Sequence, residues 1–242
     1  MNYNLEEAIL KSKLENDKLS IGERSEHSLH RVVKYLLEPT SFYHEQVINK
    51  KIVDICIDKH IYEIQTKAFH NLRSKLENII YDYQMTIVYP LIVNKRIIKM
   101  DSDGQIISIR KSPKKVLPIH SLVEFYRIKN YLLEENLSFK IMIFEADEYQ
   151  QTVQKSYKYK HGKYRIDQFP TKYIDEINLD NPNDYLKILP DLPTEFNFND
   201  FIKNTKVNRK QGSYILAVLK YVGIVEHIRT EGRAYIYKIK SC

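Results

Sequence analysis

Residues 51–69 read KIVDICIDKHIYEIQTKAF, two extended runs separated by Asp58-Lys59. KIVDICI at 51–57 and HIYEIQTKAF at 60–69 are rich in β-branched and aromatic residues, and Asp tolerates the turn geometry that joins them. A third run, FYHEQVI at 42–48, precedes them across Asn49-Lys50, so the spacing predicts an antiparallel meander with two tight hairpins. Side chains alternate across a strand, which places Glu63, Gln65 and Lys67 on one face and Ile64 and Thr66 on the other. Asp54 stands between Val53 and Ile55, where a hairpin brings it beside Glu63. Two converging carboxylates supply the hard oxygen ligands that Mg²⁺ or Mn²⁺ takes, with waters and a phosphate oxygen completing the shell. Such an ion activates water and offsets phosphate charge, while Gln65 or Lys67 positions the water or touches the phosphate. The plain alternative is a polar sheet face that meets solvent.

On either side the periodicity changes. Leu29, Val32, Val33, Leu36 and Leu37 fall at helical spacing, with Ser25 as a cap and Pro39 as the stop, and residues 1–24 suggest a peripheral helix. Downstream, Leu72, Leu76, Ile79 and Ile80 predict a helix, and MTIVYPLIV at 85–93 predicts a strand covered on both faces. KRIIKM at 95–100 and QIISIR at 105–110 flank the turn DSDG, followed by the basic loop RKSPKK at 110–115. A helix over 119–133 and a buried strand FKIMIFEA at 139–146 complete the first part. Residues 150–193 hold four of the eight prolines and read as an irregular connector.

The order helix, Asp hairpin, Glu-X-Gln strand, helix, strand over residues 25–93 resembles the PD-(D/E)XK, restriction-endonuclease-like nucleases. The resemblance implies an α/β fold: an αβββαβ core with a mixed sheet flanked by helices. It implies a metal-dependent deoxyribonuclease in which Asp54 and Glu63 bind Mg²⁺ or Mn²⁺. Gln65 stands where the family usually has lysine, and Lys67 is the substitute cation. Val53 stands where the family often has proline. Many members add an acid from the first helix, a part that Glu26 would play, with His30 one turn later. Glu45 on the first strand is its rival.

The C-terminal residues 195–242 carry nine Lys/Arg against four Asp/Glu. NFNDFIKNT predicts a short helix capped by Asn197 or Asn199, and residues 209–222 predict a second, with Ile215, Val218, Leu219 and Val222 on one stripe. Gly223 suits its end, and GIVEHIR and AYIYKIK flank TEGR as a β-wing. Helix, turn, helix and wing in this order resemble a winged-helix DNA-binding domain. That resemblance implies duplex DNA contacts from Arg209, Lys210, Gln211 and Ser213 on the second helix and from Arg229 and Arg233 on the wing. Lys114 and Lys115, and the tract KSYKYKHGKYR at 155–165 with its interleaved tyrosines, are further basic candidates.

Composition bounds these expectations. The chain has 242 residues, 43% hydrophobic and 29% charged, enough for a buried core, and its net charge of +7 favours an anionic partner. Two domains are expected, a nuclease-like domain at 1–190 and a winged helix at 191–242. Two cysteines support neither a disulfide framework nor a thiolate cluster, the eight histidines show no paired zinc spacing, and six scattered glycines make no phosphate loop. The N-terminus has no apolar h-region and no run of eighteen apolar residues occurs, so a cytoplasmic location without a membrane span is expected. The leading expectation is a DNA endonuclease, with dimerisation plausible because cutting both strands needs two sites. Restriction, repair and mobile-element roles all fit. A non-catalytic DNA-binding regulator is the main alternative, and an RNA-processing nuclease a third.

Overall fold

The computed structural model describes residues 3–18, 28–152 and 163–240. It is an α/β protein with a mixed sheet flanked by helices. Helices α1 (Leu5–Lys18) and α2 (Ser28–Leu37) lead into β1 (His44–Ile48), β2 (Lys51–Ile57) and β3 (His60–Ile64). Helix α3 (Arg73–Ile79), β4 (Gln84–Met100) and β5 (Ile106–Lys111) follow, then α4 (Leu122–Phe125), β6 (Leu137–Thr152) and β7 (Lys163–Leu179). The chain ends in β8 (Glu195–Asn197), α5 (Phe198–Thr205), α6 (Arg209–Tyr221), β9 (Val225–Glu231) and β10 (Ala234–Ile239).

The large sheet has the order β1-β2-β3-β4-β6-β7, with β5 paired to β4, and a small sheet has the order β8-β10-β9. β2 and β3 are antiparallel, β3 and β4 parallel, and β4 and β5 antiparallel, which makes the large sheet mixed. A parallel partner requires a crossover, and the chain between β3 and β4 supplies one through α3.

Two compact units form, one from residues 1–45, 90–116 and 142–175, the other from 46–89, 117–141 and 176–242. The C-terminal segment clusters with the Asp54 hairpin. In the first unit α1 packs on α2, whose Leu29, Val32, Val33 and Leu36 are buried as their spacing predicts. Ser25, offered as the cap, lies outside the described residues.

In the second unit Val53, Ile55, Ile61, Ile64, Leu76 and Ile79 are buried beneath the hairpin and α3. The Phe125 ring lies 5.5 Å from Phe69 and 4.4 Å from Phe139 between centroids. Burying each such ring stabilises by roughly 1.5–3 kcal/mol. Phe196, Phe201, Ile215, Val218 and Leu219 form the C-terminal core. That core is tied to the rest of its unit where Tyr126 stacks on Tyr214, 4.3 Å apart, and His120 Nε2 meets the Thr205 carbonyl at 2.7 Å.

Several elements differ from the sequence expectation. Residues 163–179, read as connector, form β7, the last strand of its sheet. Pro170 lies inside it, which an edge tolerates because among the described residues one side of the strand has no ladder partner, and its described side chains other than Pro170 and Leu179 are at least partly exposed. The apolar run at 85–93 and KRIIKM at 95–100 form a single strand, β4. The helix expected over 119–133 is instead a 3₁₀ turn, one turn of α4 and a second 3₁₀ segment interrupted at Ile128, whose φ is −121° and ψ 26°.

Candidate functional site

The site is built on the β2–β3 hairpin. Ile55 pairs with Tyr62, and one step further along the two strands stand Asp54 and Glu63. Both carboxylates are buried, at 9% and 3% exposure. Asp54 Oδ2 accepts the backbone N–H of Ile64 at 2.7 Å, which fixes the carboxylate against the end of β3. Burial pushes the Glu63 carboxyl up to about 7, the Asp54 charge adds to the rise, and Lys75 opposes it. Glu63 Oε2 is buried without a hydrogen-bond partner.

The cation at this pair is Lys75, on α3, whose Nζ donates to Glu63 Oε1. Sequence reasoning missed it because it searched for a lysine on the strand face. The available signal was position: α3 is the next α-helix after the strand and its Leu76 and Ile79 face the core, which carries the neighbouring Lys75 towards the sheet.

The expectation that Gln65 and Lys67 extend the same strand face is corrected. β3 ends at Ile64, and Gln65 keeps one ladder bond, donating its N–H to the Val88 carbonyl at 2.9 Å. In a parallel ladder the next donor towards Gln65 would be the amide at position 90, and Pro90 has none. Beyond that point the chain bends at Thr66-Lys67 and turns through Ala68, whose φ of 58° is left-handed. Lys67 is therefore exposed in a bend, and the Gln65 side-chain amide donates to the Lys67 carbonyl.

The sequence offers two acids to complete the site, Glu45 and Glu26. Glu45 belongs to the first unit, has a φ of 51°, and takes Lys34 Nζ at 2.6 Å. Glu26 lies outside the described residues. Among the described residues no group of three or more His, Cys, Asp and Glu side chains assembles.

The basic candidates separate into held and unheld. Arg229 pairs with Glu195 at 2.5 Å and Glu231 at 2.7 Å, which holds its guanidinium against the small sheet. Arg209 lies 5.2 Å from the Phe198 ring centroid and donates to Asn199 Oδ1 at 3.0 Å. Gln211 serves the α6 capping box with Asn208, and Ser213 Oγ donates to the Arg209 carbonyl at 3.0 Å. Lys210 and Arg233 are exposed. Lys114 and Lys115 are exposed after β5 in the first unit, and residues 153–162, most of the 155–165 tract, lie outside the described residues. No helix among the described residues is long and apolar enough to cross a membrane.

An uncharacterized protein of Treponema pallidum (strain Nichols) is 28% identical over 130 residues, which is 53% of this chain and 52% of that relative. The match thus spans about half the length of the relative. No solved structure gives a significant match. A family model matches residues 27–180, more than half of the chain and all of the β2–β3 hairpin and α3, and the chain belongs to that family, described as a Domain of unknown function (DUF8091).

Proposed function

We propose that the chain is a metal-dependent nuclease that hydrolyses DNA phosphodiester bonds at Asp54 and Glu63, with DNA held by the C-terminal segment. The observation that carries this reading is the buried Glu63 carboxyl, raised to about 7 beside Asp54 and left with an unpartnered Oε2. A carboxyl perturbed by burial and a specific neighbouring charge is a mark of functional sites. The order α2, β1–β3, α3, β4 matches the nuclease-like core that the sequence resembles, and β8, α5, α6, β9, β10 follow the order of a winged helix.

The donor set fits Mg²⁺ or Mn²⁺, because two carboxylates offer hard oxygens and one of those oxygens is buried without a protein donor. When bound, such an ion supplies an activated water and offsets charge on the phosphate. Glu63 gives up its proton to become a ligand, at a pH its value near 7 makes accessible. Lys75 holds Oε1 and so fixes the direction of Oε2, and the Ile64 amide fixes Asp54. Lys67, exposed beyond the strand, is free to meet a phosphate. Cutting both strands of a duplex would need a second copy of the chain.

A non-catalytic DNA-binding role is favoured by a different observation. Lys75 on Glu63 Oε1, the Ile64 amide on Asp54 and the Lys67 carbonyl on Gln65 engage each of these three side chains from within the chain, Glu63 Oε2 alone being left over. Plasmid cleavage with Mg²⁺ or Mn²⁺ separates the two. The wild type cuts and Asp54→Ala and Glu63→Ala do not; DNA binding without metal-dependent cutting would sink the nuclease and leave the regulator.

A further inference from the structure

A cavity of about 750 Å³ opens in the second unit between the outer face of α6 and the β9–β10 hairpin. Arg209, Ser213 and Lys220 line it from α6, at spacings that bring them to one helix face, while Arg233, Tyr235 and Tyr237 line it from the hairpin. Phe198 and Lys129 line it as well.

Four cations therefore face one cavity, Lys129, Arg209, Lys220 and Arg233, and no Asp or Glu lines it. Among the described residues none of the four forms an ion pair, whereas Arg229, outside the cavity, has two. Three of them lie over aromatic rings: Lys129 5.1 Å from the Tyr221 centroid, Arg209 5.2 Å from Phe198, and Lys220 5.8 Å from Tyr237. Cations gathered without counter-charges repel one another, so an anion that enters gains from all of them at once. The volume lies within the range of about 300–1,000 Å³ typical of small-ligand sites, larger than a lone phosphate needs. Aromatic walls offer a planar ring a stacking surface, and Tyr235, 59% exposed and held edge-on by His227 at 5.0 Å, is the most open of them. A planar ring joined to a phosphate meets both demands. Paired bases inside a duplex present no free ring face, and a concave site of this size takes one unit and not a helix.

We infer that this cavity receives a single unpaired nucleotide of a DNA strand, its phosphate on Arg209, Lys220 and Arg233 and its base against Tyr235. The inference rests on DNA as the partner of the C-terminal segment, and it makes the preferred substrate a duplex with a single-stranded end or flap. Phosphate binding to the cations anchors the strand, and stacking selects the unpaired base.

The test is fluorescence anisotropy on the full chain in EDTA, so that no cutting occurs, with a labelled blunt duplex and the same duplex carrying a short overhang. The overhang should bind about tenfold more tightly, and Tyr235→Ala should remove most of that preference while leaving blunt-duplex binding in place. Arg233→Ala should weaken the overhang complex and flatten its salt dependence, and Arg229→Ala should leave the preference intact. Competition by a nucleoside monophosphate identifies the source: displacement with the same Tyr235 and Arg233 dependence, but without a preference for DNA, assigns the nucleotide site to a free nucleotide. Equal affinity for blunt and overhanging DNA together with no competition by the mononucleotide overturns the inference and leaves the proposed nuclease standing, as does a preference indifferent to Tyr235. Absence of binding to any DNA or nucleotide overturns both.

Discussion

Lys75 on α3 donates to Glu63 on β3, and this ion pair joins the helix to the strand at the point where two buried carboxylates meet. Burial and the Asp54 charge raise the Glu63 carboxyl, Lys75 pulls it down, and the balance lies at about 7. The partner that opposes the rise thus comes from the helix after the motif.

Stability should fall as pH rises through this site. The unfolded Glu63 titrates near its ordinary 4.5 and the folded one near 7, so between these values the native state holds a proton that the unfolded state has released. The resulting destabilisation, on the order of 3 kcal/mol, is absent below pH 4.5 and complete above 7. Glu63→Gln removes it, so thermal unfolding should show the variant gaining on the wild type from pH 5 to pH 8 while any cleavage is lost. A constant difference across that range would show that Glu63 does not titrate there.

Asp54→Asn and Asp54→Ala should differ in stability and agree in electrostatics. Asparagine keeps an oxygen for the buried Ile64 amide, whereas alanine leaves that N–H unpaired at a cost of about 1–3 kcal/mol. Both remove the charge that raises Glu63, so both should lower its pKa, read by NMR titration of the Glu63 carboxyl. Equal denaturation midpoints for the two variants would show that the Ile64 bond contributes nothing.

If the chain cleaves DNA, Lys75 should matter more than Lys67. Lys75→Ala removes the group that orients Glu63 and should lower the cleavage rate by about a hundredfold, the scale of losing one positioned electrostatic group. Lys67→Ala, in an exposed bend, should cost less than about tenfold, and Lys75→Arg should recover part of the loss. Initial rates on a supercoiled plasmid decide it, and a crippling Lys67→Ala would return the role to Lys67.

If the C-terminal segment holds DNA, Lys210→Ala should reduce the slope of log affinity against log salt by about one, as expected for loss of a phosphate contact. Arg229→Ala should leave the slope unchanged, because Glu195 and Glu231 already neutralise its guanidinium. Titrations over a range of salt give both slopes, and a reversed ranking would move the DNA contact from α6 to the small sheet.

The sequence by itself determined the order of elements around Asp54 and Glu63 and across the C-terminal segment. Hydrophobic period, Asn caps and turn residues act within a few positions of the chain, so Leu29–Leu36, the β2–β3 hairpin and the Asn197 cap were legible locally. β7 was not, because an edge strand with exposed side chains and an internal proline carries neither a buried run nor a clean alternation. Only the tertiary structure decided where β3 stops and which lysine meets Glu63. Gln65 is the last residue to find a ladder partner before Pro90, a constraint set by a strand that lies 20 and more residues away in sequence. The same holds for Arg229 and Arg233: they look alike in sequence, and only the pairing of β8 with β10 brings Glu195 within reach of Arg229, because an ion pair depends on distance in space and not along the chain.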